Sequence, residues 1–310
     1  MSQLRLGYLY GLGAYVMWGF FPAYFKVLRP TGPFEVLAHR VVWSVLFMVL
    51  LLTAVRGWRR IAQLRHRPAT LAGIALAGVL IGVNWATYIW AVNIDRVVET
   101  SLGYFINPLV VIVAGVVILH ERLRAAQWAA VGIGTVAVLV LTVDYGHPPW
   151  VALILAFSFA MYGLVKKRLG LPATDGLFVE SAVLSLPALA LLIWYARHDQ
   201  LTFGHLSTGH SVLLAAAGVL TAVPLLMFAG AANRLPLVSL GMLQYVAPTL
   251  QLALGVFLFH EPMPPVRLFG FGLVWLALAV FTWDGLRTAR ATRLTAAATP
   301  TPTATPARAA

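Results

Sequence analysis

SLGYFINPLVVIVAGVVILHE (residues 101–121) is oily enough to cross a membrane, yet Tyr104, Asn107 and Pro108 stand in its middle and a charge ends it. A relative of the stretch returns later in the chain as SLGMLQYVAPTLQLALGVFLFHE (residues 239–261). A run of about 20 apolar residues crosses the ~30 Å hydrocarbon core as a helix. Each stretch therefore reads as one span with a polar, proline-bearing interruption. That the interruption occurs twice decides how the rest of the chain is read.

The chain has 310 residues, 60% hydrophobic and 10% charged, with a mean hydropathy of +0.85. A soluble domain carries about 25% charged residues. Similar apolar runs fall at about 7–27, 36–55, 69–92, 98–119, 125–143, 148–167, 177–196, 211–232, 236–259 and 267–284. The expected fold is an all-α polytopic membrane protein of ten transmembrane helices. Loops and tails take what is left, without room for a folded soluble domain. The first run is long and aromatic, with Trp18, Pro22 and Tyr24, and lacks a small-residue cleavage site, so it reads as a retained span. Residues 287–310 are biased to Ala, Thr and Pro and read as a disordered basic tail.

Composition also excludes several functions. With no cysteine, disulfides and thiolate metal sites are out. The net charge of +12 is spread over short loops, which argues for topology-setting charge and against a nucleic-acid partner. No HExxH, GxSxG, Walker A or GxGxxG pattern occurs, so neither an ATP-driven pump nor a cofactor enzyme is indicated. No cofactor or metal is expected.

Basic residues fix an orientation. If the N-terminus is cytoplasmic, that side holds sixteen Lys and Arg, including Arg56, Arg59, Arg60, Arg65, Arg67 and Lys166–Arg168. The opposite side holds six: Lys26, Arg29, Arg40, Arg96, Arg197 and Arg267. Positive charge favours the inside, so both termini are expected in the cytoplasm.

The echo extends beyond the opening stretch. At an offset of 140, Asn93 meets Asn233, Pro108 meets Pro248, His120 meets His260 and Glu121 meets Glu261. AYVMWG (14–19) matches SFAMYG (158–163) at an offset of 144. The chain divides into a first five-helix repeat (1–143) and a second (144–286). Two odd-numbered units in series must face opposite ways, as in inverted-repeat transporters whose sites lie near the midplane.

Polar groups inside a span are costly and usually face the bundle interior or a water-filled cavity. Tyr104 and Pro108 share one helical face with Asn107 beside them, and Gln244 and Pro248 share the equivalent face with Tyr245 beside them. Each proline frees the carbonyl four residues earlier, at Tyr104 and Gln244. The kinks at Pro108 and Pro248 either build hydrogen-bonding cavity walls or simply bend helices for packing. Trp18, Tyr162 and the stripe of Asn84 and Tyr88 complete a candidate lining suited to an organic solute with a few polar handles.

Charges within spans are few. His39 and Arg40 lie about a turn inside segment 2, and Glu180 matches His39 at an offset of 141. Arg40 is expected to pair with Glu99, and Glu180 with Lys166 or Lys167. These are candidate gate pairs, with Glu180 or His39 carrying a coupling proton. The alternative is static anchoring. Glu121 and Glu261 end their helices against the helix dipole and call for a structural partner.

With these residues assembled, the chain resembles the EamA-type permeases of the drug/metabolite transporter superfamily. The likeness lies in two five-span units whose proline-bearing fourth helix ends in Glu, and in HERLRAAQWAAVGIGTVAVL (120–139). AYVMWGFFPAYFK, HRVVWS, NWATYIWAVN, ETSLGYFINPL, FSFAMYGLVKK and LQYVAPT resemble the bacterial RarD group within it. The resemblance implies a multi-pass permease of the bacterial inner membrane, both ends cytoplasmic, moving a small-molecule substrate through the lipid bilayer. It implies no particular substrate. Here the second half departs from the first, having Ala247-Pro248 where the first has Asn107-Pro108. The expected function is secondary transport by alternating access, with proton coupling open. A lipid-like flippase and a membrane-embedded enzyme are the alternatives.

Overall fold

The computed structural model describes residues 3–64, 66–119, 123–235 and 237–298. Among them every regular element is a helix. Helix α1 (Gln3–Gly19) breaks at Phe20 and resumes as α2 (Phe21–Val27). Pro22 sits in the first turn of α2, where its missing N–H is no loss. α3 (Pro33–Ala54) begins on a proline, a seven-residue α4 (Trp58–Leu64) follows, and α5 (Pro68–Asn93) again begins on one. α6 (Val97–Leu119) runs through Pro108. α7 (Ala125–Tyr145) and α8 (Trp150–Leu169) stop at Gly146 and Gly170, whose φ angles of 70° and 60° suit glycine. α9 (Ala173–Arg197) contains Pro187, and α10 (Thr208–Ala232) contains Pro224. Last come α11 (Leu237–Leu243), α12 (Val246–Ala253), a π-helical turn at Leu254–Leu258, and α13 (Pro265–Ala298).

Seven of these helices are long and apolar enough to cross a membrane: α3, α5, α6, α7, α9, α10 and α13. α8 over Trp150–Lys166 and the α12–π stretch are shorter apolar helices. Two expectations need correction. The segment over 236–259 is not one kinked helix: it breaks at Gln244–Tyr245, so Pro248 falls in the first turn of α12, where it interrupts nothing. Pro108, by contrast, lies within an unbroken helix. The tail expected to be disordered from residue 287 continues α13 to Ala298, in keeping with the helix-forming Leu, Ala and Arg of LRTARATRLTAAA. The remainder of that tail, and Glu121, lie outside the described residues.

Packing exchanges the two halves. α1 lies on α10 as α8 lies on α5. α1 meets α12 as α8 meets α6, and α3 meets α10 as α5 meets α9. α3 with α9, α6 with α12 and α7 with α13 pair each helix with its own counterpart. The outer surface is oily, with Val143, Phe257 and Leu186 each at least 75% exposed. Polar groups such as Asn84, Ser158, Glu180 and Arg40 are buried between helices, as expected where lipid is the solvent.

Candidate functional site

Two buried charges organise the interior. Arg40, on α3, is 4% exposed, and its Nε donates to Thr221 Oγ1 on α10 at 2.7 Å. Its guanidinium lies 4.1 Å from the centre of the Trp85 ring, 5.4 Å from Phe21 and 5.8 Å from Phe25. Tyr24, Tyr88 and Tyr104 are within electrostatic reach of it. Five helices thus contribute to one neighbourhood, with Asn84 and, on α8, Ser158 behind it. Tyr104 donates to Asn84 Oδ1 at 3.2 Å, while Asn84 Nδ2 donates to Ser158 Oγ and the Leu155 carbonyl, each at 3.0 Å. The Tyr88 hydroxyl is buried without a hydrogen-bond partner.

The expected Arg40–Glu99 pair is not formed. Glu99 sits in the first turn of α6, where its Oε1 accepts from the Val151 N–H at the start of α8 at 3.1 Å. Its other oxygen faces Arg96 at 3.5 Å. The amide donors at the start of a helix are a ready partner for a carboxylate, so Glu99 is engaged there.

The second charge is Glu180 on α9. Its side chain is 2% exposed, accepts from Lys166 Nζ at 2.7 Å and from the Tyr162 hydroxyl at 3.1 Å. Tyr162, Lys166 and Glu180 therefore form one cluster, separate from Arg40. His39 belongs to neither. It stacks on Phe203 at 4.8 Å and lies 3.8 Å from Glu35.

Further links hold the helix ends. Lys26, in the last turn of α2, and Arg29, just beyond it, pair with Asp95 in the α5–α6 turn. Glu261 accepts from the Val97 and Val98 N–H groups at 2.7 and 2.8 Å, capping α6 from the other half of the chain. Arg60 holds Asp175 through two hydrogen bonds of 2.9 and 3.0 Å. Arg124 holds Asp284, and Arg267 holds Asp144.

The remaining expected residues scatter. Gln251 Nε2 donates to the Trp18 carbonyl at 3.1 Å, and the Trp18 ring packs against Tyr15 and Phe228. Asn107 is buried with Oδ1 unpartnered. Gln244 lies at the break before α12. Tyr245 packs into the apolar core formed with α6, α7 and α13, away from Arg40.

Both halves match a single family model described as the EamA-like transporter family, over residues 5–143 and 149–283. The chain belongs to that family. Among its EamA-like relatives, Protein RarD of Streptomyces exfoliatus is 54% identical over 308 residues, covering 99% of this chain and 98% of that one. An uncharacterized transporter, YojE of Bacillus subtilis, is 42% identical, covering 94% of this chain and 98% of the relative. A crystal structure of a protein 19% identical superposes with a TM-score of 0.58 over 90% of this chain and 98% of the other, a likeness of fold alone. The EamA-like chain is a multi-pass membrane transporter, not an enzyme.

The residues that sequence reasoning missed belong to the Arg40 neighbourhood. Thr221 is a lone hydroxyl in an apolar span, and Phe21, Tyr24 and Phe25 read as ordinary membrane aromatics. Only their convergence on one cation gives them meaning, and that depends on how helices of different halves cross.

Proposed function

We propose that this chain is a secondary transporter of a small organic metabolite or drug, working by alternating access in the bacterial inner membrane. In this reading α1–α2, α8 and the α11–α12–π stretch are spans alongside the seven long helices, giving ten in two inverted five-helix repeats with both termini cytoplasmic. The repeats occupy residues 1–143 and 144–286. The observation that carries the reading is the packing exchange between halves, with polar side chains buried at the shared seam. The interhelical side-chain links agree with it. Arg60–Asp175, Arg124–Asp284 and Arg234–Gln3 join ends assigned to the inside, while Lys26–Asp95, Glu261–Val97 and Arg267–Asp144 join ends assigned to the outside.

Asn84, Tyr88, Tyr104 and Asn107 then line the seam, with Trp18, Gln244 and Tyr245 recruited in other states of the cycle. Lys26, Arg29 and Asp95 hold the outer side closed, and Tyr162, Lys166 and Glu180 hold the inner side. Glu180 is the coupling carboxylate, since protonation would release Lys166. The lipid-flippase reading gains little from the side groove of about 320 Å³ among α3, α5 and α9. Its lining, from Phe34 and Leu37 to Pro187 and Leu191, is entirely apolar and has no handle for a headgroup.

Reconstitution in liposomes, with labelled amino acids and amphenicols offered with and without a pH gradient, tests the transport reading. Uptake that responds to the gradient in wild type and loses that response in Glu180→Ala supports coupling through Glu180. An unchanged pH response in the variant removes it. Cysteine labelling of Arg59→Cys and Arg168→Cys should mark one face of the membrane, and labelling on opposite faces would overturn the inverted arrangement.

A further inference from the structure

Transport and gating leave Arg40 unexplained. It is almost fully buried, yet no carboxylate lies within ion-pair distance among the described residues. Its one hydrogen bond uses Nε. The four remaining guanidinium N–H donors have no acceptor among the described residues. Phe21, Phe25 and Trp85 present their rings to it and Thr221 its hydroxyl, with Tyr24, Tyr88 and Tyr104 within electrostatic reach; these come from α2, α3's neighbours α5 and α10, and α6. Contact with aromatic faces offsets only part of the cost of taking a cation out of water. A residue kept at such a cost inside a span is by default a functional one.

From this arrangement, and resting on the carrier reading of the same seam, we propose that Arg40 anchors a substrate carboxylate, making the substrate a small monocarboxylate with an aromatic or other apolar body. A planar guanidinium matches a carboxylate with two parallel hydrogen bonds. A single negative charge neutralises the single positive one, whereas a dianionic phosphate would leave a net charge buried. Tyr88 supplies a further donor, its buried hydroxyl being unpartnered, while Tyr104 is already committed to Asn84. Trp85 and Phe21 flank the place where the apolar body would lie.

The test is thermal unfolding of the full chain in lipid nanodiscs with phenylacetate, phenylacetamide, phenethylamine or phenyl phosphate at equal concentration. Phenylacetate should raise Tm and the other three should not. Arg40→Gln should bind phenylacetate at least tenfold more weakly, the loss expected for a charge-assisted contact. Tyr88→Phe, which removes only an unpartnered hydroxyl, should keep the wild-type Tm and weaken binding severalfold. Without ligand, Arg40→Gln should melt at or above the wild-type temperature. The proposal is overturned if the amide, amine or phosphate stabilises as well as the carboxylate, or if phenylacetate gives no shift. It is equally overturned if Arg40→Gln keeps the shift or fails to fold, which would make Arg40 structural, or if Tyr88→Phe binds unchanged. Binding with no transport in liposomes would instead defeat the carrier reading and leave the carboxylate site standing.

Discussion

Arg40 and Glu180 occupy comparable places in the two halves, each near the start of its unit's second long helix, and each is buried. Their surroundings are opposite. Glu180 has its counter-ion and a phenol, whereas Arg40 has aromatic rings and one hydroxyl. A buried charge with a partner is a lock that opens when the partner leaves. A buried charge without one is, in the proposal above, an anchor completed by an anion from outside the chain. Duplication gave both halves the same scaffold, and the chemistry diverged on it.

The largest expected effect separates lock from anchor. Lys166→Met leaves Glu180 buried and uncompensated, and breaking a buried pair in this way typically costs about 3–5 kcal/mol. The unfolding temperature of Lys166→Met should therefore fall well below wild type, with partial recovery when Glu180→Leu is added. Unliganded Arg40→Gln should show no such fall. Equal losses at the two sites would abolish the distinction.

Next is a glycine pair that stands at equivalent positions, Gly78 in LAGVL and Gly218 in AAGVL. A Cβ on Gly218 would lie 2.3 Å from the backbone carbon of Trp43 on α3, closer than any relaxed contact. A Cβ on Gly78 would lie 3.4 Å from the Glu180 carbonyl oxygen on α9, at the edge of ordinary contact. Gly218→Ala should destabilise by about 1–3 kcal/mol, as overpacking does, and Gly78→Ala by much less. Thermal unfolding of both checks this. Because α10 also carries the Thr221 that holds Arg40, Gly218→Ala should loosen the anchor while Gly78→Ala leaves it intact.

The contrast between halves was only partly legible in the sequence. Membrane crossing, the repeat and the family followed from local signals: apolar runs, the recurring SLG and HE marks, and the two prolines. Glu180 with Lys166 is legible because each is a charged residue in an oily span, whereas Tyr104 and Asn84 read as members of one lining and their mutual hydrogen bond does not show in the sequence. Opposite charges near one side invite a pairing of Arg40 with Glu99. The start of α8, supplied by the other half, takes Glu99 instead. Glu261 stands against its own helix dipole, yet its partner is the start of α6, some 160 residues away in the chain. Single-sequence periodicity places residues on helical faces but carries no information about which helix of the other unit crosses there.

That cross-half capping gives the third prediction. Glu261→Ala removes a carboxylate from two N–H donors at the start of α6, at an expected cost of about 1–2 kcal/mol. The same substitution at Glu99 should cost a similar amount at the start of α8. If only one of the two matters for stability, the halves differ at their capping contacts as well as at their buried charges.

The smallest effect falls on Asp95, whose side chain is 54% exposed. Partial burial pushes its carboxyl pKa up, but hydrogen bonds from Lys26 and Arg29 outweigh this and hold it below the usual aspartate range. A depressed folded-state pKa means the contribution is fully present above the unfolded value, near pH 4, and fades as pH falls through the lower folded value. Exposed pairs are worth about 0–1 kcal/mol, so Asp95→Asn should barely move Tm at neutral pH. It should also flatten the acid limb of the stability curve below about pH 4. Its functional effect should be kinetic: with the outer contact weakened, a cysteine placed near Tyr24 should react faster with a membrane-impermeant thiol reagent added from outside. Lys166→Met should show no such external gain, because its contact closes the opposite end of the seam. If Asp95→Asn leaves external labelling unchanged, the Lys26–Arg29–Asp95 group is a static tie and the outer gate must be sought at Glu99 and Glu261.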